Sequence, residues 1–260
     1  MWVLDLDGVV WLGERALEGA ADAVAELRAG GHQVVFATNN SSPVVGEQEA
    51  KLARLGIPAR GDVVTSATAA AALVAAGERV LVCGGPGMVE AMEARGAEVV
   101  DATIAARAGA TLVDAVDAVA VGFDPYFDYE RLTASYRAVR AGARFIASND
   151  DPTYPTPEGP IPGGGAIVAS VERATGVTPV VAGKPHRPMA ELILSRADGG
   201  EAGIMVGDRP STDGEFATTL GFRFALVLTG VTSQDDLPVS PSPDLVAEDL
   251  ATLVTRVLHH

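Results

Sequence analysis

The sequence predicts an α/β fold built on a parallel sheet, and three observations carry that reading. Short β-branched runs alternate with helix-like segments along the chain, the pattern of parallel strands joined by crossover helices. The first such unit is complete near the start. VLDL is followed by Leu17, Ala20, Val24 and Leu27 on one helical face, a Gly30-Gly31 stop, and the strand-like VVFAT. Composition agrees: 48% of the 260 residues are apolar and only 5% aromatic, a soluble globular chain long enough for one large domain or two modest ones.

Further strands are predicted at Val63–Thr65, Val80–Val82, Val119–Val121, Arg144–Ala147, Val180–Ala182, Ile204–Val206 and Phe224–Leu228. Each β-strand–helix–β-strand unit is right-handed by rule. Between them NDDPTYPTPEGPIPGGG, residues 149–165, is too rich in Pro and Gly for a strand or helix, and a loop of that length is usually functional.

Charge and cysteine content remove several classes of function. Nineteen Lys plus Arg against 34 Asp plus Glu give a net charge of −15, which argues against nucleic acid or an anionic membrane as partner. No apolar stretch is long enough to span a bilayer. The strand-like run starting at residue 2 leaves no room for a secretory leader, so the expected location is cytoplasmic. Cys83 cannot form an internal disulfide and reads as a buried strand end. His259 and His260 are given no role.

Four short motifs carry the chemistry. DLDGV places Asp5 and Asp7 two residues apart after an apolar strand; on a strand both carboxylates point to one face, and Gly8 allows a tight turn. The strand's C-terminal end exposes Asp5 in the crevice where open α/β sheets bind ligands. ATNNS ends another strand in Thr38, Asn39 and Asn40, a hydroxyl and two amides suited to phosphate oxygens. AGKPH fixes Lys184 at a strand end, a point charge that an acidic chain must localise for an anionic ligand. MVGDRPSTD places Asp208 after a buried strand with Asp213 five residues on, and with Asp5 and the backbone around Asp7 it can complete an oxygen site for Mg²⁺. Any one of these aspartates could equally be a helix N-cap. Together, in this order, they are hard to attribute to coincidence.

The same motifs, with SNDD…PGGG…GKP between them, closely resemble the haloacid dehalogenase (HAD) superfamily of phosphotransferases, in its subfamily IIA branch of NagD-like and para-nitrophenylphosphatase-like enzymes. The resemblance runs from Val3 to about Gly230. It implies a three-layer Rossmann-like core from residues 1–77 and 182–260 with an α/β cap inserted at 78–181. It implies Asp5 as the nucleophile that forms an aspartyl-phosphate and Asp7 as the acid, then base. The Mg²⁺ ligands would be a carboxylate oxygen of Asp5, the backbone carbonyl of Asp7, and Asp208. Thr38, Asn39 and Lys184 would hold phosphoryl oxygens, with Asp213 orienting Lys184 or a metal-bound water.

The two aspartates that repel each other are thereby reconciled, because the metal neutralises one while the other holds a proton. Asp7 also favours phosphate over halide, since displacing halide from carbon needs no leaving-group acid. The expectation is an Mg²⁺-dependent hydrolase of a small phosphorylated metabolite. A phosphotransferase or mutase on the same scaffold is an alternative, and a non-catalytic metabolite-binding protein a weaker one. Two departures from the pattern are Gly214, where an apolar residue is usual, and Ser42-Pro43, where some relatives carry a basic side chain. Selectivity is expected from the cap loop around Asp150, Asp151, Tyr154 and Pro155, with Tyr154 offering an apolar face and a hydroxyl, or else packing internally. The sequence leaves open the identity of the ester and whether the chain is a monomer or a homodimer.

Overall fold

The VLDL run forms a strand deep in a sheet, as its uninterrupted apolar character requires. In the computed structural model, which describes residues 1–102, 104–105, 115–154, 156, 159–197 and 203–259, all three residues of β1 (Trp2–Leu4) are buried. Contacts divide the chain into two compact units. One comprises Met1–Thr38, Gly46–Val64 and Lys184–His260, the other Asn39–Val45 and Thr65–Gly183.

The first unit is organised by a six-stranded sheet. With β4 (Val34–Thr38), β5 (Val63–Thr65), β13 (Ile204–Gly207), β14 (Arg223–Val227) and β15 (Leu245–Ala247), its order is β15-β14-β13-β1-β4-β5. β1 runs parallel to both neighbours, and β13–β14 and β14–β15 are also parallel. Every residue of β1, β4 and β13 is buried, as expected for parallel strands covered on both faces. From β1 the chain moves outward one way, through α1 (Ala20–Ala29) to β4 and then through α2 (Val45–Arg54) to β5. From β13 it moves the other way, through α8 (Glu215–Leu220) to β14. The strand order therefore reverses between β1 and β13, and the crevice beyond their C-terminal ends is where such sheets bind ligands.

Helix α1 buries Ala20, Ala23, Val24 and Leu27, close to the stripe read from the sequence, and packs against α9 (Leu250–His259). α7 (Arg187–Leu194) packs against α8. A short hairpin of β2 (Trp11–Leu12) and β3 (Arg15–Ala16) follows the β1 turn.

The second unit has its own parallel sheet, ordered β12-β9-β8-β6-β7 from β6 (Arg79–Cys83), β7 (Glu98–Asp101), β8 (Ala118–Val121), β9 (Arg144–Ala147) and β12 (Val180–Val181). Helices α5 (Tyr129–Arg140) and α6 (Gly164–Thr175) pack together, and Ala134, Ala138, Val168 and Val171 join the sheet core. Cys83 is buried in this core, and burial pushes its thiol up to about 12, which keeps it inert.

Two sequence expectations change. The 149–165 stretch is not wholly irregular: β10 (Thr153–Tyr154) pairs antiparallel with β11 (Ile161–Pro162), and α6 begins at Gly164. Extended Pro-flanked residues can pair where a two-residue ladder is all that is asked of them. Pro155 and Pro157 lie outside the described residues. The second unit runs from Thr65 to Gly183 and takes in residues 39–45: α3 (Ser66–Ala71) packs against α4 (Pro86–Ala94), and Gly87 N donates to Ser42 O at 2.7 Å. Strands β7 and β15 were not among the expected ones. Their short runs, with half-exposed or exposed positions, lack the apolar signal of the central strands. No helix among the described residues is long and apolar enough to cross a membrane.

Candidate active site

Asp5 and Asp208 follow the two strands that flank the reversal of strand order. Leu4 is in register with Val206, and Asp5 N donates to Val206 O at 2.9 Å, so the ladder continues one residue beyond β1 and fixes the Asp5 backbone. The chain then leaves the sheet. The amides of Val10 and Trp11 donate to Leu6 O, and Gly8 N to Trp11 O, closing a turn with Gly8 at φ 85°.

This overturns the expectation that Asp5 and Asp7 share one strand face, since Asp7 belongs to the turn. The two carboxylates have different partners. Asp5 Oδ1 lies 2.7 Å from Lys184 Nζ, whereas Asp7 Oδ1 accepts from Trp11 Nε1 at 3.0 Å.

Lys184 is only 2% exposed, so its charge must be met inside the protein. Asp5 meets it, and so does Asp213 Oδ1 at 2.8 Å. Burial alone would lower the ammonium's proton affinity, but Asp213 and Asp5 outweigh it and hold Lys184 charged above its ordinary range.

Asp213, 1% exposed, sits in a single π-helical turn over Pro210–Gly214. Its Oδ2 accepts from the amides of Asp208 at 3.2 Å and Arg209 at 3.1 Å. It thus ties the GDR loop to Lys184. A Cβ on Gly207 would meet the Asp213 Cβ at 2.2 Å, which is why the strand must end in glycine.

Asp208, 4% exposed, accepts from Val231 N through Oδ2 at 2.6 Å. A Cβ on Gly8 would lie 2.5 Å from that oxygen and one on Gly230 only 1.9 Å. Thr229 Oγ1 also donates to Gly8 O at 2.5 Å, joining the β14 loop to the β1 turn. Thr229, Gly230 and Val231 are not signalled by the sequence. TGV after a strand carries little signal, because a backbone amide and the absence of a Cβ are what it contributes.

The carboxylate oxygens of Asp5, Asp208 and Asp213 lie within 4.8 Å of one another, a group suited among the described residues to a metal ion. Three carboxylates face one ammonium. The surplus shows in the proton affinities: burial first, then Asp213, raise Asp208 to about 6, and burial with Asp213 and Asp208 raises Asp5 despite Lys184. An all-oxygen set with excess negative charge fits a small hard dication.

Asp7 is raised by burial against the opposing pull of the Trp11 hydrogen bond, the direction a proton-donating carboxyl requires. Its side chain is outside the three-carboxylate group. Thr38 is 2% exposed at the end of β4, the strand beside β1.

Asn39, Asn40 and Tyr154 come together in the second unit. Asn39 Nδ2 donates to Asp151 Oδ2 at 2.9 Å, and Asn40 Nδ2 to the Tyr154 hydroxyl at 3.1 Å. Asn149 Nδ2 and Ser66 Oγ both donate to Asn39 O, at 2.8 and 2.7 Å. The Tyr154 ring stacks on Phe123 with centroids 5.2 Å apart, so Tyr154 both packs and carries a bonded hydroxyl.

Two family models match the chain: haloacid dehalogenase-like hydrolase over residues 2–98 and HAD-hydrolase-like over residues 181–253. The chain is 38% identical to a D-glycerol 3-phosphate phosphatase of Mycobacterium tuberculosis over 96% of its own length and 70% of that protein's. It is 34% identical to an acid sugar phosphatase of Staphylococcus saprophyticus, over 98% of its own length and 97% of the other's. The crystal structure of a glycerol phosphate phosphatase from M. tuberculosis in complex with magnesium superposes with a TM-score of 0.85 at 36% identity, over 97% of this chain and 76% of that one.

Proposed function

Because the chain belongs to the haloacid dehalogenase-like hydrolases, we propose that it hydrolyses a small phosphorylated metabolite through an aspartyl-phosphate on Asp5 with the help of Mg²⁺. The phosphatase class is that of relatives matched over nearly the whole chain. The observation that carries the mechanism is the Lys184 ammonium held at once by Asp5 and Asp213, beside Asp208, where the strand order reverses.

The tasks divide among the residues of the site. A carboxylate oxygen of Asp5 attacks phosphorus, the bond from phosphorus to the leaving oxygen breaks, and the proton held by Asp7 passes to that oxygen. Asp7, now ionised, takes a proton from water. The water oxygen attacks phosphorus of the aspartyl-phosphate, the bond to Asp5 breaks, and inorganic phosphate leaves. Lys184 and the Thr38 hydroxyl serve the phosphoryl oxygens, and Asp213 fixes Lys184. Asp5 and Asp208 through their carboxylates, with the Asp7 backbone carbonyl, are the groups to hold Mg²⁺. The ion supplies positive charge for the attacking carboxylate and the phosphoryl oxygens.

Substrates named for the relatives make polyol and sugar phosphates the first compounds to try. Phosphate release across such a panel, with and without Mg²⁺, tests the activity, and intact-mass detection of a phosphorylated Asp5 tests the route. Release that persists unchanged in Asp5→Asn would rule the route out.

A further inference from the structure

The chain has two lysines, and the mechanism uses only Lys184. The other, Lys51 on α2, lies with its Nζ 4.2 Å from the centroid of the Trp11 ring. Lys51 Nζ also donates to Gly13 O at 2.6 Å and to Glu14 Oε1 at 3.1 Å, clamping the tip of the β2–β3 hairpin to α2. Trp11 is 2% exposed, and its backbone is fixed in both directions by Leu6 O and Gly8 N. Its indole Nε1 donates to Asp7 Oδ1 at 3.0 Å.

An indole N–H can only donate, so the Asp7 oxygen facing it must be an acceptor whether the carboxyl is protonated or not. The carbonyl oxygen of a protonated carboxyl is the better acceptor of its two oxygens, so the bond at Oδ1 favours the transferable proton on Oδ2. A cation over the ring draws electron density from the indole and strengthens its N–H as a donor.

From this arrangement we infer that Trp11 is a positioning residue for proton donation: backed by Lys51, it anchors Asp7 Oδ1 so that Oδ2 is presented to the leaving oxygen. The inference rests on Asp7 being the acid, as proposed above. It adds an indole and a distant ammonium to the machinery, neither of which touches the reacting atoms.

The test compares kcat/KM for two esters, because kcat/KM reports steps only up to departure of the leaving group. An alkyl phosphate needs a proton on its leaving oxygen, whereas nitrophenolate leaves without one. Trp11→Phe keeps the ring and removes the donor. It is expected to lower kcat/KM about 10–100-fold for the alkyl ester, a fraction of the roughly 10²–10⁴-fold that general acid help supplies, and less than about threefold for the nitrophenyl ester. Lys51→Met, which keeps the apolar stem, is expected to show the same ordering with a smaller loss, and it decides the matter if Trp11→Phe does not fold. Equal losses on the two esters, or none on either, in a folded variant would overturn the inference and leave Trp11 a core residue. Asp7→Asn run in parallel separates the two readings. If it shows no dependence on the leaving group, the assignment of Asp7 as acid fails; if it does and Trp11→Phe does not, only the positioning role fails.

Discussion

Lys184 Nζ donates to Asp213 Oδ1 at 2.8 Å, and both residues are almost wholly buried. This pair makes the phosphoryl-binding lysine part of the fold as well as of the chemistry. A lysine read from sequence as a strand-end point charge is expected to be dispensable for stability. The buried pair reverses that expectation, because removing one partner leaves an uncompensated charge, typically about 3–5 kcal/mol destabilising. Lys184→Ala should therefore abolish turnover and also lower Tm, whereas Lys184→Ala combined with Asp213→Asn should recover part of the Tm and none of the activity. Thermal melts beside phosphate-release assays check both.

Metal dependence should itself depend on pH. Asp208 in the metal-free chain binds a proton with a pKa of about 6, above its ordinary value, so proton and metal compete for it. Below about pH 6 the protonated form dominates and must be displaced; above it the carboxylate is already ionised. The Mg²⁺ concentration for half-maximal activity should rise as pH falls through that window, at constant ionic strength. A chelator in excess should abolish hydrolysis at every pH, with recovery on adding Mg²⁺.

Asp5 and Asp7 should separate cleanly. Asp5→Asn should remove phospho-enzyme formation entirely. Asp7→Asn should lose roughly 10²–10⁴-fold with poor leaving groups and still form phospho-enzyme from nitrophenyl phosphate. Rapid-quench intact-mass measurements on both variants distinguish the two outcomes.

Gly230→Ala tests the Asp208 geometry without touching a charged residue. The new Cβ would fall 1.9 Å from Asp208 Oδ2, so the carboxylate must move. The expected result is a requirement for at least about tenfold more Mg²⁺, a loss of about 1.4 kcal/mol in binding, as read by metal titration of activity and by calorimetry.

Tyr154→Ala removes the stacking on Phe123 and the acceptor for Asn40. It should reorder kcat/KM among natural phosphate esters while leaving a small generic ester within about tenfold. A uniform loss across the panel would place selectivity elsewhere in the second unit.

The sequence by itself determined the parallel α/β plan, because strands buried on both faces must be continuously apolar and the breaks between them must be polar or glycine-rich. It also singled out Asp5, Asp7, Lys184, Asp208 and Asp213 as candidate site residues, through the joint order of motifs that follow such strands and not through any one of them alone. Tertiary structure alone decided their pairing. That Lys184 is shared by Asp5 and Asp213 and that Val231 N caps Asp208 depend on segments far apart in the chain, whereas Asp7 meets Trp11 only four residues on, once the chain has left the strand. Likewise, the grouping of Asn39 and Asn40 with the 149–165 hairpin, and not with β4, follows from contacts with Asp151 and Tyr154 across more than a hundred residues. Hydrophobic periodicity is a local property that a short window of sequence records. The partner of a buried charge is set by which strand ends the sheet order brings side by side, and no local pattern encodes that order.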